Sequence, residues 1–133
     1  MENEIIDKEK IAQHWISRSD SDFETMNNLM LSKDFNWALF IGHLVIERLL
    51  KAIIVKNTGK HAPLTHDLRR LVKLSGLIIE EEQIRWLDTI STFNINARYD
   101  DYKQEFYKKC TPDYAINWFT NIKILREWIK KKL

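Results

Sequence analysis

The 133 residues of the chain are enough for one domain with a hydrophobic core. Hydrophobic residues make up 44% and charged residues 30%, which is typical of a soluble globular protein and excludes a disordered chain. The formal net charge of +2, from 21 basic and 19 acidic residues, gives no chain-wide reason to expect tight nucleic-acid binding.

The composition also bears on the compartment. Cys110 is the only cysteine, so an intrachain disulfide is impossible and a reducing compartment is favoured. The first ten residues, MENEIIDKEK, are charged and lack the apolar core of a signal peptide. No apolar run is long enough to span a membrane. We therefore expect a cytoplasmic protein without membrane contact.

Hydrophobic spacing predicts helices in chain order. The first covers about residues 8–31, where apolar residues recur at helical spacing. The second runs from an N-cap at Asp34 to about residue 57 and ends before Gly59. The loop segment HAPLTHDLRRLV then leads into a short third helix, for which we expect Thr65 to be the N-cap.

Two further helices are predicted in the second half of the chain. One covers about residues 80–93, where the apolar residues share one face. Thr111 and Pro112 indicate the N-cap and first turn of the last helix, and Lys130, Lys131 and Lys132 suit its C-terminal dipole. No segment alternates as a strand does. The pattern predicts an all-α, antiparallel four- to five-helix up-and-down bundle, with residues 1–133 forming a single domain.

The second helix is the most informative element. Its sequence, FNWALFIGHLVIERLLKAIIV, is apolar on nearly all sides, which predicts a central position in the bundle. The few polar residues are spaced by seven, four and four positions and so form a stripe on one face: Asn36, His43, Glu47 and Lys51. Either Glu47 and Lys51 form a simple pair on a partly solvated edge, or the stripe faces a polar cleft or a twofold partner. In the second case buried charges need specific partners, with Arg98 and Asp22 as candidates.

Four segments of the chain together resemble the HEPN domain, a small helical domain of nucleotide-related systems. They are SRSDSDFETM, HLVIERLLKAIIV, HAPLTHDLRRLV and NARYDDY, and their order and separation match the family. The resemblance places Asp22 at the family's aspartate in the first helix, Glu47 and Lys51 at its Glu-x-x-x-Lys, His66 and Asp67 at its His-Asp pair, and Arg98 and Tyr99 at its Ala-Arg-Tyr.

The resemblance implies an up-and-down bundle that often dimerises. Many HEPN domains are the small partner of a minimal nucleotidyltransferase, in toxin–antitoxin pairs or related operons. Others are metal-independent ribonucleases or bind nucleotides through a dimer cleft. We expect an activity of the family in this chain only where the chain carries the residues of the corresponding family motif.

The chain departs from the ribonuclease pattern, in which an arginine is followed after a short spacer by a histidine. Arg98 is followed by YDDYKQEFYKKC, and all four histidines precede it. Cleavage of RNA needs a base near the 2′-hydroxyl and a cation near the phosphate. Arg98 supplies the cation, and a histidine such as His43 or His66 would have to come from elsewhere in the bundle. An enzyme is therefore the less favoured class, with Arg98 and His66 as its catalytic candidates.

The favoured interpretation is a nucleotide-binding cleft. Its predicted residues are Arg98, Tyr99, Tyr102, Glu47, Lys51, Asp22, His43, His66 and Asp67. Arg98 would hold a phosphate through its planar guanidinium, and the two tyrosines would shape the pocket or stack on a base. The structural alternatives are that Arg98 pairs with a carboxylate, that Asp67 caps the third helix, and that the tyrosines are core aromatics.

Partners and cofactors follow from the same residues. The histidines form no metal-site pattern and no glycine-rich phosphate loop occurs, so we expect neither a metal nor a cofactor. Trp37, Trp86 and Trp128 lie near the edges of the apolar faces and favour an interface, most simply a homodimer. We expect a dimeric nucleotide-binding module beside a nucleotidyltransferase or toxin–antitoxin partner. A ribonuclease, acting on RNA, and a pure protein-interaction scaffold are the alternatives.

Overall fold

A computed structural model of the protein describes residues 5–133 and shows six helices and no strand among them. The helices are α1 (Lys8–Leu31), α2 (Phe35–Thr58), α3 (Leu68–Ser75), α4 (Glu81–Asn96), α5 (Asp100–Lys109) and α6 (Pro112–Lys130). The predicted all-α class is confirmed. None of these helices combines the length and the apolar character that crossing a lipid bilayer requires.

Two of the predicted helix ends agree with the structure, and one predicted N-cap does not. Gly59 follows α2 in the left-handed conformation (φ 69°), and the Thr111 hydroxyl accepts from the Tyr114 backbone N–H at the start of α6, both as predicted. The prediction of Thr65 as the cap of α3 is wrong. The Asp67 carboxylate caps α3 instead, accepting from the backbone N–H of Arg69 at 3.1 Å, while the Thr65 hydroxyl accepts from the Asp67 N–H.

The predicted central position of α2 is also observed. This helix packs against each of the other five, and most of its side chains are buried. A three-residue turn joins α1 to α2, so the two run antiparallel along most of their length. Ser19 is a polar residue on the buried side of α1, and its hydroxyl donates to the Val45 carbonyl of α2 at 2.7 Å.

Helix α5 is the element that hydrophobic spacing did not predict. Only Phe106 is buried in it, so its apolar residues form no continuous face. Its stabilising pattern is electrostatic instead, with Asp100 and Asp101 in the first turn and Lys108 and Lys109 in the last. Helix α5 contacts the start of α2, where Lys103 Nζ lies 5.6 Å from the centre of the Trp37 ring.

Candidate functional site on the middle helix

The ionisable residues of the polar stripe of α2 are buried rather than placed on a solvated edge, while Asn36 is partly exposed. The relative exposure of His43, Glu47 and Lys51 is 0%, 4% and 5%. Phe40 belongs to the same stripe, since it lies four positions after Asn36 and three before His43. The stripe therefore changes along the helix from an aromatic ring near the N-terminal end to ionisable groups further on.

Glu47 is the centre of a hydrogen-bonded cluster. Its carboxylate accepts from Lys51 Nζ at 3.1 Å and from His66 Nδ1 at 2.8 Å, and His43 Nε2 lies 3.7 Å away. Lys51 Nζ also lies 5.3 Å from the centre of the Trp15 ring, so its charge is compensated from two sides. The predicted Glu47–Lys51 pair thus exists, but in the interior, with His66 as a third member.

His43 fixes the loop that carries His66. Its Nε2 lies 2.9 Å from the His66 backbone carbonyl, which can only accept, so Nε2 carries the proton and donates. The other nitrogen, Nδ1, is buried without a hydrogen-bond partner within residues 5–133. Burial lowers the pKa of His43 from its usual 6.5, outweighing the carbonyl of His66 and the nearby Glu47 carboxylate, which raise it. The ring is therefore neutral at pH 7.

This buried histidine makes stability depend on pH. Below about pH 6.5 the unfolded chain binds a proton at His43 before the folded chain does, so stability falls as the pH falls. We expect the wild type to lose up to about 1.4 kcal/mol per pH unit more than His43→Gln in this range. Urea unfolding at about pH 7.5 and about pH 5.5 measures the difference. The exposed His14, changed to Gln, is the control and should leave the wild-type dependence intact. Equal slopes for wild type and His43→Gln would contradict the assignment.

Arg98 approaches the opposite end of the stripe. Its guanidinium carbon lies 5.8 Å from the centre of the Phe40 ring and 5.6 Å from that of Tyr99, and Nε donates to the Asn94 carbonyl at 3.0 Å. Within residues 5–133 the side chain has no carboxylate within ion-pair distance. Among the described residues the terminal N–H groups of the Arg98 guanidinium make no hydrogen bond, unlike the ammonium of Lys51.

The structure therefore divides the predicted site. Glu47, Lys51, His43 and His66 meet in one cluster, while Arg98 and Tyr99 lie over Phe40, about 10 Å from Glu47 along the axis of α2 at 1.5 Å per residue. The predicted pairing of Arg98 with Glu47 or another carboxylate is not observed in the described part of the chain. Both groups lie on the same side of α2, where Arg98, Tyr99 and the His66 ring are exposed while His43, Glu47 and Lys51 are buried.

Three other predicted residues lie elsewhere or have structural roles. Asp22 forms an ion pair with Arg48, the residue after Glu47 on α2. Burial raises the pKa of Asp22, Arg48 opposes this effect, and the Glu47 carboxylate adds to it. Asp67 caps α3, as the structural alternative had it. Tyr102 lines a groove of about 570 Å³ with Asn96 and Lys109, and Arg98 is not among the residues that line it.

Sequence reasoning predicted Tyr99 and Tyr102 for the site but did not include Phe40 and Trp37. Phe40 and Trp37 pack edge to face with ring centres 6.0 Å apart, and Lys103 Nζ lies 5.6 Å from the centre of the Trp37 ring. Helical spacing was the signal for Phe40, which falls between the polar residues already assigned to the stripe. Lys103 gave no signal, because its position depends on the unpredicted α5.

Trp37 is 38% exposed, whereas Trp86 and Trp128 are partly buried against the core.

Burial raises the pKa of the Cys110 thiol to about 12, so this group is protonated and is not a nucleophile. In the part of the chain that the structure describes, no group of three or more histidine, cysteine, aspartate or glutamate side chains is placed to hold a metal ion.

The fold and the site define a class: a small helical bundle whose middle helix carries a buried ionisable stripe, with an arginine of the α4–α5 segment at one end. The family model described as HEPN domain matches residues 12–133, so the chain belongs to the HEPN domain family. Among solved structures, that of TT1696 from Thermus thermophilus is similar, with a TM-score of 0.77 and 17% sequence identity over 92% of this chain and 98% of that one. This likeness shows a shared fold. A comparison with curated proteins gives no match.

Proposed function

We propose that the exposed surface at the Phe40 end of the α2 stripe, formed by Arg98, Tyr99 and Trp37, binds a nucleotide, with Arg98 contacting a phosphate. The observation that carries the proposal is the guanidinium of Arg98, which lies beside two aromatic rings and has no carboxylate partner within residues 5–133. Its Nε donates a hydrogen bond to the Asn94 carbonyl, which orients the guanidinium before a ligand binds. A planar guanidinium oriented in this way can donate two parallel hydrogen bonds to a phosphate.

The aromatic surroundings support a ligand with a planar base. Tyr99 is 54% exposed beside Arg98, and Trp37 offers a second partly exposed ring close to Phe40. Stacking of a base on such a ring contributes about 1–3 kcal/mol and accepts any base. A nucleotide with its phosphate on Arg98 and its base on Tyr99 therefore satisfies both features.

Membership of the HEPN family supports the proposal of a dimer and of a protein partner. HEPN domains often dimerise, and many accompany a minimal nucleotidyltransferase, in toxin–antitoxin pairs among others. We propose that this chain acts as a homodimer beside such a partner, in the reducing environment of the cytoplasm. Co-purification with a neighbour-encoded protein in the absence of any nucleotide effect would favour a pure interaction scaffold instead.

A panel of nucleoside mono-, di- and triphosphates, tested by thermal unfolding, is the first experiment. A ligand that binds only the folded state at 100 times its Kd stabilises that state by about 2.7 kcal/mol. At least one nucleotide should therefore raise the Tm by several degrees. Unchanged Tm across the whole panel at millimolar concentrations would refute the proposal.

Ribonuclease activity is a second candidate, favoured by the pairing of His66 with Glu47. A buried carboxylate holds Nδ1 of a ring that is itself 55% exposed, which leaves Nε2 as the nitrogen available for proton transfer. This arrangement supplies a histidine that the sequence after Arg98 lacks. Its orientation by a buried group matches the geometry of general bases.

His66→Ala and Arg98→Ala test this candidate directly. If the chain cleaves RNA, each substitution should reduce the rate at least about 100-fold, since proton transfer by a positioned side chain contributes about 10²–10⁴-fold. His61→Ala is the control on the same loop. Labelled RNA incubated with each purified variant gives the rates, and cleavage that persists equally in all of them would assign the activity to a contaminant.

A further inference from the structure

A lysine-rich groove lies where α5 packs against the N-terminal turns of α2. Its larger part has a volume of about 500 Å³ and is lined by Asn36, Trp37, Lys103, Gln104, Tyr107 and Lys108. A smaller part of about 290 Å³ shares Asn36, Tyr107 and Lys108 and adds Lys33. We call the combined surface the lysine groove. Together the two parts reach the size of typical ligand pockets, about 300–1,000 Å³.

The charge of the lysine groove has one sign. Lys33, Lys103 and Lys108 line it, and no carboxylate belongs to either lining within the described residues. The nearest ion pair is that of Lys103 with Asp100 at 4.0 Å, where the carboxylate is 98% exposed and contributes little. The chain has a net charge of only +2, so three lysines around one groove without a carboxylate among its lining residues are a local feature.

Exposed rings stand beside these cations. Tyr107 is 69% exposed, and Trp37 presents its ring next to the ammonium of Lys103. Lysines that alternate with exposed rings match the two components of a single strand of nucleic acid, which are a run of phosphates and a series of planar bases. An acidic peptide would match the lysines alone.

We propose that the lysine groove binds a single-stranded oligonucleotide, with phosphates on Lys33, Lys103 and Lys108 and bases stacked on Trp37 and Tyr107. The groove adjoins the Arg98 site, because Trp37 packs on the Phe40 ring that Arg98 covers. The inference that one strand continues from the groove onto Arg98 rests on the proposed function. Binding in the groove itself does not.

Lys33 allows a test that separates binding from folding. It is the only non-glycine residue with positive φ (65°) among those described, in the turn between α1 and α2. Glycine adopts this conformation without the steric strain that a lysine side chain imposes. Lys33→Gly should therefore keep or raise the Tm while it weakens oligonucleotide binding.

Fluorescence anisotropy with labelled oligo-U and oligo-dT of about 12 nucleotides measures the binding. The binding variant replaces Lys33, Lys103 and Lys108 with Gln, and the matched control replaces the exposed Lys10, Lys73 and Lys131 with Gln. On single strands each phosphate contact contributes about 0.7 to the slope of log Kd against log salt. Loss of three contacts should therefore reduce that slope by about 2. The control should retain the wild-type slope and bind within about twofold of the wild type.

The outcomes distinguish the groove from the Arg98 site. Loss of oligonucleotide binding in the groove variant, with mononucleotide binding retained, supports the groove. Oligonucleotide binding by the wild type, with no binding of any mononucleotide, would support the groove and refute the nucleotide site. Equal loss in the binding and control variants, or displacement by polyglutamate as effective as by unlabelled oligonucleotide, would overturn the proposal; the latter would indicate an acidic protein segment. Oligo-U and oligo-dT should bind alike if phosphates and base faces are the groups recognised.

Discussion

Arg98→Ala is expected to weaken nucleotide binding about 10- to 150-fold without a measurable loss of fold stability. A hydrogen bond to a charged group contributes about 1.5–3 kcal/mol, and each 1.4 kcal/mol changes the affinity tenfold. The fold should tolerate the change, because the guanidinium takes part in no ion pair within residues 5–133 and its one hydrogen bond is to the Asn94 carbonyl. Isothermal titration with the best nucleotide from the panel gives the affinity.

Two variants make the result specific to the site. Arg98→Lys keeps the charge but loses the planar guanidinium, so its nucleotide affinity should lie between those of the wild type and Arg98→Ala. Arg70→Ala removes an exposed arginine of α3 and should bind as the wild type does. Equal losses in Arg98→Ala and Arg70→Ala would show that net charge, rather than this position, governs the affinity.

Glu47→Ala is expected to have the largest effect on stability. It leaves the ammonium of Lys51 with its side chain 6% exposed and without a carboxylate partner. Removing one member of a buried ion pair costs about 3–5 kcal/mol, which is a large part of the 5–15 kcal/mol that typically stabilises a domain. Urea unfolding should show a lower midpoint with an unchanged slope.

The chain offers an exposed pair with the same spacing as control. Glu81 and Arg85 are also four residues apart, with the carboxylate 90% exposed, so Glu81→Ala should change stability by less than about 0.5 kcal/mol. The combined change Glu47→Leu with Lys51→Met should recover most of the loss, because it removes both buried charges together. A cost for Glu47→Ala no larger than that for Glu81→Ala would contradict the buried cluster.

Helical spacing was sufficient to predict five of the six helices, since each buries an apolar face. It failed for α5, where Phe106 is the one buried residue and the helix is specified by charges at its ends. The pattern of two aspartates followed by two lysines about two turns later was the available signal. Electrostatic patterning of that kind contributes only about 0.3–1 kcal/mol at each helix end and is easily overlooked.

The polar stripe of α2 could likewise be predicted, but its partners could not. Spacing within one helix places His43, Glu47 and Lys51 on a single face. Which group meets them from another element depends on how the loop between α2 and α3 crosses α2. That loop brings His66 to Glu47, while Asp22 meets Arg48, one position along the helix and on another side. No local pattern in the sequence encodes this choice.

The most direct test of the nucleotide site is an NMR titration of uniformly ¹⁵N-labelled protein with the nucleotide that stabilises it most. The account predicts that the Nε–H of Arg98 and the backbone amides of residues 97–99 shift progressively and saturate at the calorimetric Kd. Saturable binding that leaves these signals unmoved, with shifts confined to another face of the bundle, would contradict it.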